Sequence, residues 1–137
     1  MKKSIVLAVL SFLLLGCAPA VVIDEAIEKY EVVAGSINLG DSRDKVLSIL
    51  LPTQKELKGS YKKSADKYLK EGVLVEIYYM RSGRQADGLT TDDEFTPYIF
   101  NDGKLVGIGW AMLGGAKTQG QASDTHTTTT NTTVIVR

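Results

Sequence analysis

The period of the hydrophobic positions changes along the chain, and each change marks a segment. Residues 5–15 form an apolar run, interrupted by Ser11 alone, behind Lys2 and Lys3. Residues 23–34 then switch to helical spacing. Ile23, Ala26, Ile27, Tyr30, Val33 and Ala34 recur every three or four positions, with Asp24, Glu25, Glu28 and Glu31 between them. This pattern predicts an amphipathic helix with acids near its start, where the helix dipole favours them. A second helix of about ten residues is predicted after Leu39-Gly40: Asp41 or Ser42 caps it, Val46, Leu47, Ile49, Leu50 and Leu51 form its apolar stripe, and Pro52 ends it. Residues 53–72 are rich in Lys and Ser. That composition fits a strand, a short helix near 65–69 or a mobile loop.

From Val73 the period becomes two. Val73, Val75, Ile77 and Tyr79 alternate with Leu74, Glu76, Tyr78 and Met80, which predicts a strand buried on one face and largely apolar on the other. A polar loop over 82–93 separates it from a second strand at 94–100. Asn101-Asp102-Gly103 is a turn signal, because these residues tolerate the positive φ of a tight hairpin. Residues 104–111, including Trp110, complete that hairpin. The expected fold is α+β, with two N-terminal helices packed on a three-stranded antiparallel meander. Residues 113–137 are dominated by Gly, Ser, Thr, Gln and Asn, and the expectation there is a disordered tail. Its last six residues, 132–137, have strong β propensity. They suit addition to a sheet edge, the chain's own or a partner's, or else an idle frayed terminus.

The first apolar run is 11 residues long, whereas a helix crossing a hydrocarbon core of about 30 Å needs about 20. With two lysines ahead of it, the run has the build of an export signal. Leu14-Leu15-Gly16-Cys17 follows, and this resembles the bacterial lipobox, in which a small residue precedes a Cys that is lipidated before the signal is cut. The organisation read from this is a lipoprotein signal peptide at 1–16, a lipidated tether at 17–22, an α+β periplasmic domain at 23–112 and the polar tail at 113–137. Diacylglycerol and an N-acyl chain on Cys17 would tie the protein to the bilayer, at about 0.8 kcal/mol per buried CH₂. Other cofactors are not expected. Ala18 stands where an Asp retains lipoproteins in the inner membrane of enteric-type bacteria. In a Gram-negative host that implies the outer membrane, with the domain facing the periplasm.

Removing the signal also changes the charge. The whole chain balances 16 basic against 16 acidic residues, and loss of Lys2 and Lys3 leaves a net −2. No basic surplus remains for nucleic acid. Cys17 is the single cysteine, so a lipidated chain has no disulfide, thiolate nucleophile or thiolate metal site.

Several short strings carry a resemblance. Asn38-Leu39-Gly40-Asp41-Ser42 leading into Val46, the strand at 78–81, and Asp102-Gly103-Lys104-Leu105 resemble the small outer-membrane lipoproteins of the SmpA/OmlA (BamE-like) type. Tyr79-Met80-Arg81, the 87–97 string Asp-Gly-Leu-Thr-Thr-Asp-Asp-Glu-Phe-Thr-Pro, and residues 100–109 are more similar still to an uncharacterised family of proteobacterial lipoproteins. The resemblance spans about residues 36–111. It implies the α+β plan and an envelope location, and it brings no known activity. The chain departs from the pattern at Ile49-Leu50-Leu51-Pro52, which lacks the usual Gly, and at Phe95, where the close family has a Cys.

The candidate chemistry lies in and beside the 82–93 loop, in Arg81, Arg84, Asp87, Thr90, Thr91, Asp92, Asp93 and Glu94. Such carboxylates and hydroxyls can bind Ca²⁺ or perform acid–base work, but their spacing matches no Ca²⁺-loop pattern and no metal site is assigned. The alternative is that Asp and Thr brace a long turn while Arg81 or Arg84 balances the acids. Trp110 is either core or a partner anchor. His126, the one histidine, lies in the polar tail and receives no role. No Gly-rich phosphate loop is present. The expected function is a non-catalytic binding or scaffolding accessory in the envelope, with envelope assembly as its setting and an envelope protein as partner. The alternatives are a small-ligand or Ca²⁺-binding sensor built on the 87–94 loop, and an inhibitor of a periplasmic enzyme.

Overall fold

The computed structural model describes residues 18–120. The signal peptide, Cys17, His126 and the 132–137 segment lie outside the described residues. Helix α1 spans Ala18–Ala34 and helix α2 spans Arg43–Leu50. Strands β1 (Asp66–Lys70), β2 (Val73–Arg81), β3 (Phe95–Asn101) and β4 (Lys104–Ile108) form an antiparallel sheet in chain order. The fold is therefore α+β, as expected, but the meander has four described strands rather than three.

β1 escaped the periodicity argument because all five of its residues are exposed. It is held by pairing with β2, from Asp66 opposite Ile77 to Lys70 opposite Val73. Glu71-Gly72 makes the two-residue turn between them, with φ of 52° and 82°. Glutamate is an uncommon residue in that left-handed region. The second hairpin uses the expected residues: Asp102 and Gly103 adopt φ of 45° and 77° between Asn101 and Lys104. Asp102 also accepts a hydrogen bond from the Leu74 N–H at 3.0 Å through its carboxylate and donates its own N–H to the Leu74 carbonyl at 2.9 Å. The turn is thereby stitched to β2.

Both helices lie on one face of the sheet. Tyr30, Ile37, Val46 and Leu50 pack with Met80, Tyr98, Phe100 and Leu105, and Val46, Leu50 and Phe100 are fully buried. The Tyr30 and Tyr98 hydroxyls share a hydrogen bond of 2.9 Å at this contact. A second stripe of α1, Ile23 and Ala26, packs on Leu57. The opposite sheet face carries a smaller cluster of Val75, Ile77 and Ile99, against which Tyr79, Val106 and Leu113 pack.

Several boundaries move. α1 begins at Ala18, so residues assigned to a tether are helical, and Asp24 and Glu25 sit in its second turn rather than its first. Ser42 caps α2 by accepting from the Lys45 N–H at 3.3 Å. Asp41 instead accepts from the Asn38 N–H at 2.9 Å and pairs with Lys45 at 2.7 Å. Pro52 does not end the helical path, which continues as a 3-10 turn over Leu51–Gln54 because proline is tolerated at the start of a turn. The last strand stops at Ile108. Gly109, at φ 89°, redirects the chain, and Trp110 opens a 3-10 turn, Trp110–Leu113, rather than ending the strand. Residues 113–120 were expected in a disordered tail, yet Leu113 packs against the Val75, Ile77 and Ile99 cluster and Thr118 and Gly120 bond to the 92–93 turn.

Candidate functional site

The polar residues singled out in the sequence are gathered around one buried ion pair. Arg81 ends β2, and Glu94 closes a 3-10 turn, Asp92–Glu94, immediately before β3. β2 and β3 are paired through Arg81 opposite Phe95, so the two side chains are delivered to the same place. The Arg81 guanidinium meets Glu94 at 2.9 Å, with both side chains buried. It also donates to the Gly83 carbonyl at 3.0 Å and to the Thr90 hydroxyl at 3.4 Å, and lies 5.3 Å from the Phe95 ring centre. Burial pushes the guanidinium below its ordinary pKa, while Glu94 pulls it back up.

Glu94 has no idle oxygen. One accepts from the Gln85 N–H at 2.7 Å and the other from the Thr91 N–H at 2.9 Å, the second bond completing a capping box with Thr91. Asp87 accepts from the Leu89 N–H at 2.9 Å, a short-range turn contact. Asp92 is bonded by Lys63 at 3.0 Å, and its N–H donates to the Thr118 hydroxyl at 2.7 Å. Asp93 accepts from the Thr91 hydroxyl and, at 2.8 and 2.9 Å, from the Gly120 N–H. The Thr91 bond, then that from Gly120, holds the Asp93 carboxyl below its usual range. Among the described residues, no group of three metal-ligating side chains converges.

Arg84 feels the charge of Glu94 but takes its bonded partner from outside the loop. It makes a two-pronged pair with Asp24 of α1, at 2.7 and 3.0 Å, and the Arg84 hydrogen bond lowers the Asp24 pKa. The pair bridges the loop to the helix beside a cleft of about 350 Å³, lined by Pro19, Ala20, Ile23, Tyr61, Leu89 and the edge of Arg81 among others. Trp110 lies away from this cleft. Its indole stacks on Tyr79, with ring centres 5.6 Å apart, and its N–H donates to the Phe95 carbonyl at 2.8 Å. It is half-buried and lines a surface cleft with Tyr68, Tyr79 and Leu113.

Two further buried polar groups were missed by sequence reasoning. Gln54 is buried and acts as a substitute strand for the end of β2: its carbonyl accepts from the Arg81 N–H at 2.7 Å, and its amide donates to the Arg81 carbonyl at 3.3 Å. Glu76, on the helix face of β2, is 1% exposed and bonded by Lys67 at 2.8 Å and Arg43 at 3.1 Å. The Lys67 bond, then that from Arg43, holds its carboxyl below the usual range against the opposing effect of burial. An acid inside an otherwise apolar alternation signals a buried partner, and it was the one clue available for this pair. No sequence feature marks Gln54.

Among the described residues, no helix is long and apolar enough to cross a membrane. No protein-family model, curated protein or solved structure matches the chain.

Proposed function

We propose that the chain is a lipid-anchored envelope protein whose α+β domain is a non-catalytic binding or scaffolding accessory. The observation that carries this reading is the short apolar run ending in Leu14-Leu15-Gly16-Cys17, directly followed by helix α1 at Ala18. A diacylglycerol and N-acyl chain on Cys17 would then attach to the end of a helix rather than to a loose tether, and the sheet would be held near the bilayer surface. In a Gram-negative host the reading places the protein at the outer membrane, facing the periplasm. The BamE-like plan remains part of this proposal.

What supports an accessory over a sensor is the state of the 87–94 loop. Its carboxylates cap backbone N–H groups or pair with cations, which leaves a Ca²⁺ ion or small ligand little to coordinate. Recognition would fall to exposed surface, and the partner expected is another envelope protein. The test has two parts. Labelled palmitate should enter the chain and be lost in Cys17→Ser, with unprocessed precursor accumulating; equal labelling of both would sink the anchor. A tagged chain drawn from gently solubilised envelopes should bring down a stoichiometric envelope protein, absent from the Cys17→Ser control.

A further inference from the structure

The two edges of the sheet are treated differently. Along β4 the outward backbone groups are taken up by the segment entering α2: the Leu105 N–H donates to the Asp41 carbonyl at 2.9 Å, and the Gly40 N–H donates to the Leu105 carbonyl at 2.8 Å. A bridge between Ser42 and Lys104 continues this cover, with the Arg43 N–H bonded to the Gly103 carbonyl at 2.8 Å. β1 has no such cover among the described residues, where it pairs with β2 alone. The two-residue turn at Glu71-Gly72 makes Lys70 and Val73 the closing hydrogen-bonded pair, and the alternation of an antiparallel ladder then points the N–H and C=O of Lys67 and Leu69 away from the sheet.

Each face of this edge also carries exposed apolar surface, set among the charges of Asp66, Lys67 and Lys70. Leu69 and its cross-strand neighbour Leu74 are 74% and 38% exposed on the helix side, and Tyr68 is 46% exposed on the other. Two of the edge charges are engaged within the sheet, Lys67 with Glu76 at 2.8 Å and Asp66 with the Tyr79 hydroxyl at 2.7 Å, while Lys70 stays exposed beside the turn. An open edge flanked by large apolar side chains is a template for another strand.

We infer that the free edge of β1 is a strand acceptor and that its occupant is the chain's own segment 132–137. That segment reads Thr-Thr-Val-Ile-Val-Arg, so its alternation puts β-branched side chains on both faces, where they would cover Leu69 and Leu74 on one side and Tyr68 on the other. The chain leaves the described region close by. Gly120 is fixed on Asp93, Thr118 on Asp92, and Asp92 on Lys63, three positions before β1 begins. Gly115 and Lys117 line the same surface cleft as Asp66, Lys67 and Tyr68. The intervening 121–131 segment can span about 36 Å, whereas a five-residue strand is about 17 Å long, so the segment reaches the edge in either direction. Covering Tyr68, Leu69 and Leu74 in this way is independent of whether Cys17 carries lipid.

The test is amide hydrogen exchange on the full-length chain purified in detergent, alongside Ile135→Asp. The Lys67 and Leu69 amides should exchange at least about tenfold more slowly in the unmodified chain than in the variant, at any protein concentration. The Ile77 and Ile99 amides should be equal in both, showing that the sheet is intact. Fast exchange of Lys67 and Leu69 in the unmodified chain overturns the inference. Protection that grows with protein concentration overturns it too, by making the occupant a second copy.

Discussion

Arg81 and Glu94 stand at the two ends of the 82–93 loop and meet at 2.9 Å, with their side chains 1% and 0% exposed. The pair makes a closed ring of a segment whose composition alone would leave it loose. Each partner also anchors backbone inside the ring: Arg81 the Gly83 carbonyl, and Glu94 the N–H groups of Gln85 and Thr91. A buried pair of this kind is weak evidence for net stabilisation, but losing one partner strands the other.

Arg81→Met and Glu94→Ala should therefore each destabilise the domain by about 3–5 kcal/mol, read as a lowered urea midpoint. The double variant should cost clearly less than the sum, because no uncompensated charge remains. Glu94→Gln should fall between, since an amide oxygen can still accept one of the two backbone bonds. Additive single costs would show that the two charges are not coupled.

Glu76 makes an acid-dependent contribution. Its carboxyl is held below the ordinary 4.5 by Lys67 and then Arg43. A group whose folded pKa is depressed stabilises above its unfolded value and loses that effect as pH falls through the folded one. The gap in urea midpoint between the natural chain and Glu76→Gln should thus be full at neutral pH and narrow once pH drops below 4.5. A gap that stays constant down to acid pH would separate Glu76 from the titration.

Trp110 is the one tryptophan in the chain, so its emission reports on the Tyr79 stack without interference. Tyr79→Ala should shift that emission to longer wavelength while circular dichroism shows the fold retained. Trp110→Phe keeps the stack and loses the N–H bond to the Phe95 carbonyl, at a cost of about 1 kcal/mol. An unshifted emission in Tyr79→Ala would place the indole elsewhere.

The parts of the fold written in side-chain periodicity were legible. Ile23, Ala26 and Tyr30 on α1, Val46 and Leu50 on α2, and Val75 and Ile77 on β2 are buried where their spacing puts them, although the helices cover the other face of β2, that of Glu76, Tyr78 and Met80. The Asp102-Gly103 turn was legible for a different reason, the backbone preference of its residues. β1 was not, because an exposed edge strand buries nothing and so carries no pattern, and its Glu71-Gly72 turn begins with a residue that rarely takes positive φ. At the candidate site the sequence named the residues but not their pairing. That Arg81 takes Glu94 while Arg84 crosses to Asp24 depends on the register of β2 against β3 and on α1 passing beside the loop. Gln54 was invisible because its partner is the backbone of Arg81, and backbone needs leave no mark on the residue that meets them.

The tail's first residues give the last prediction. Asp93 grips the Gly120 N–H with both carboxylate oxygens, and Asp92 and Thr118 are joined beside it, so the chain is fixed to the domain at this point. Exposed polar segments are cut by proteases unless their backbone is bonded to something. Asp93→Ala removes the grip without disturbing Glu94, which keeps its own bonds to Arg81, Gln85 and Thr91. Limited proteolysis under native conditions should then show cleavage within 114–120 several-fold faster in Asp93→Ala, with the urea midpoint of the core nearly unchanged. Equal cleavage rates would mean that Thr118 and the packing of Leu113 hold the segment without Asp93. A large fall in midpoint would instead make the 92–94 turn part of the core's own cooperative unit.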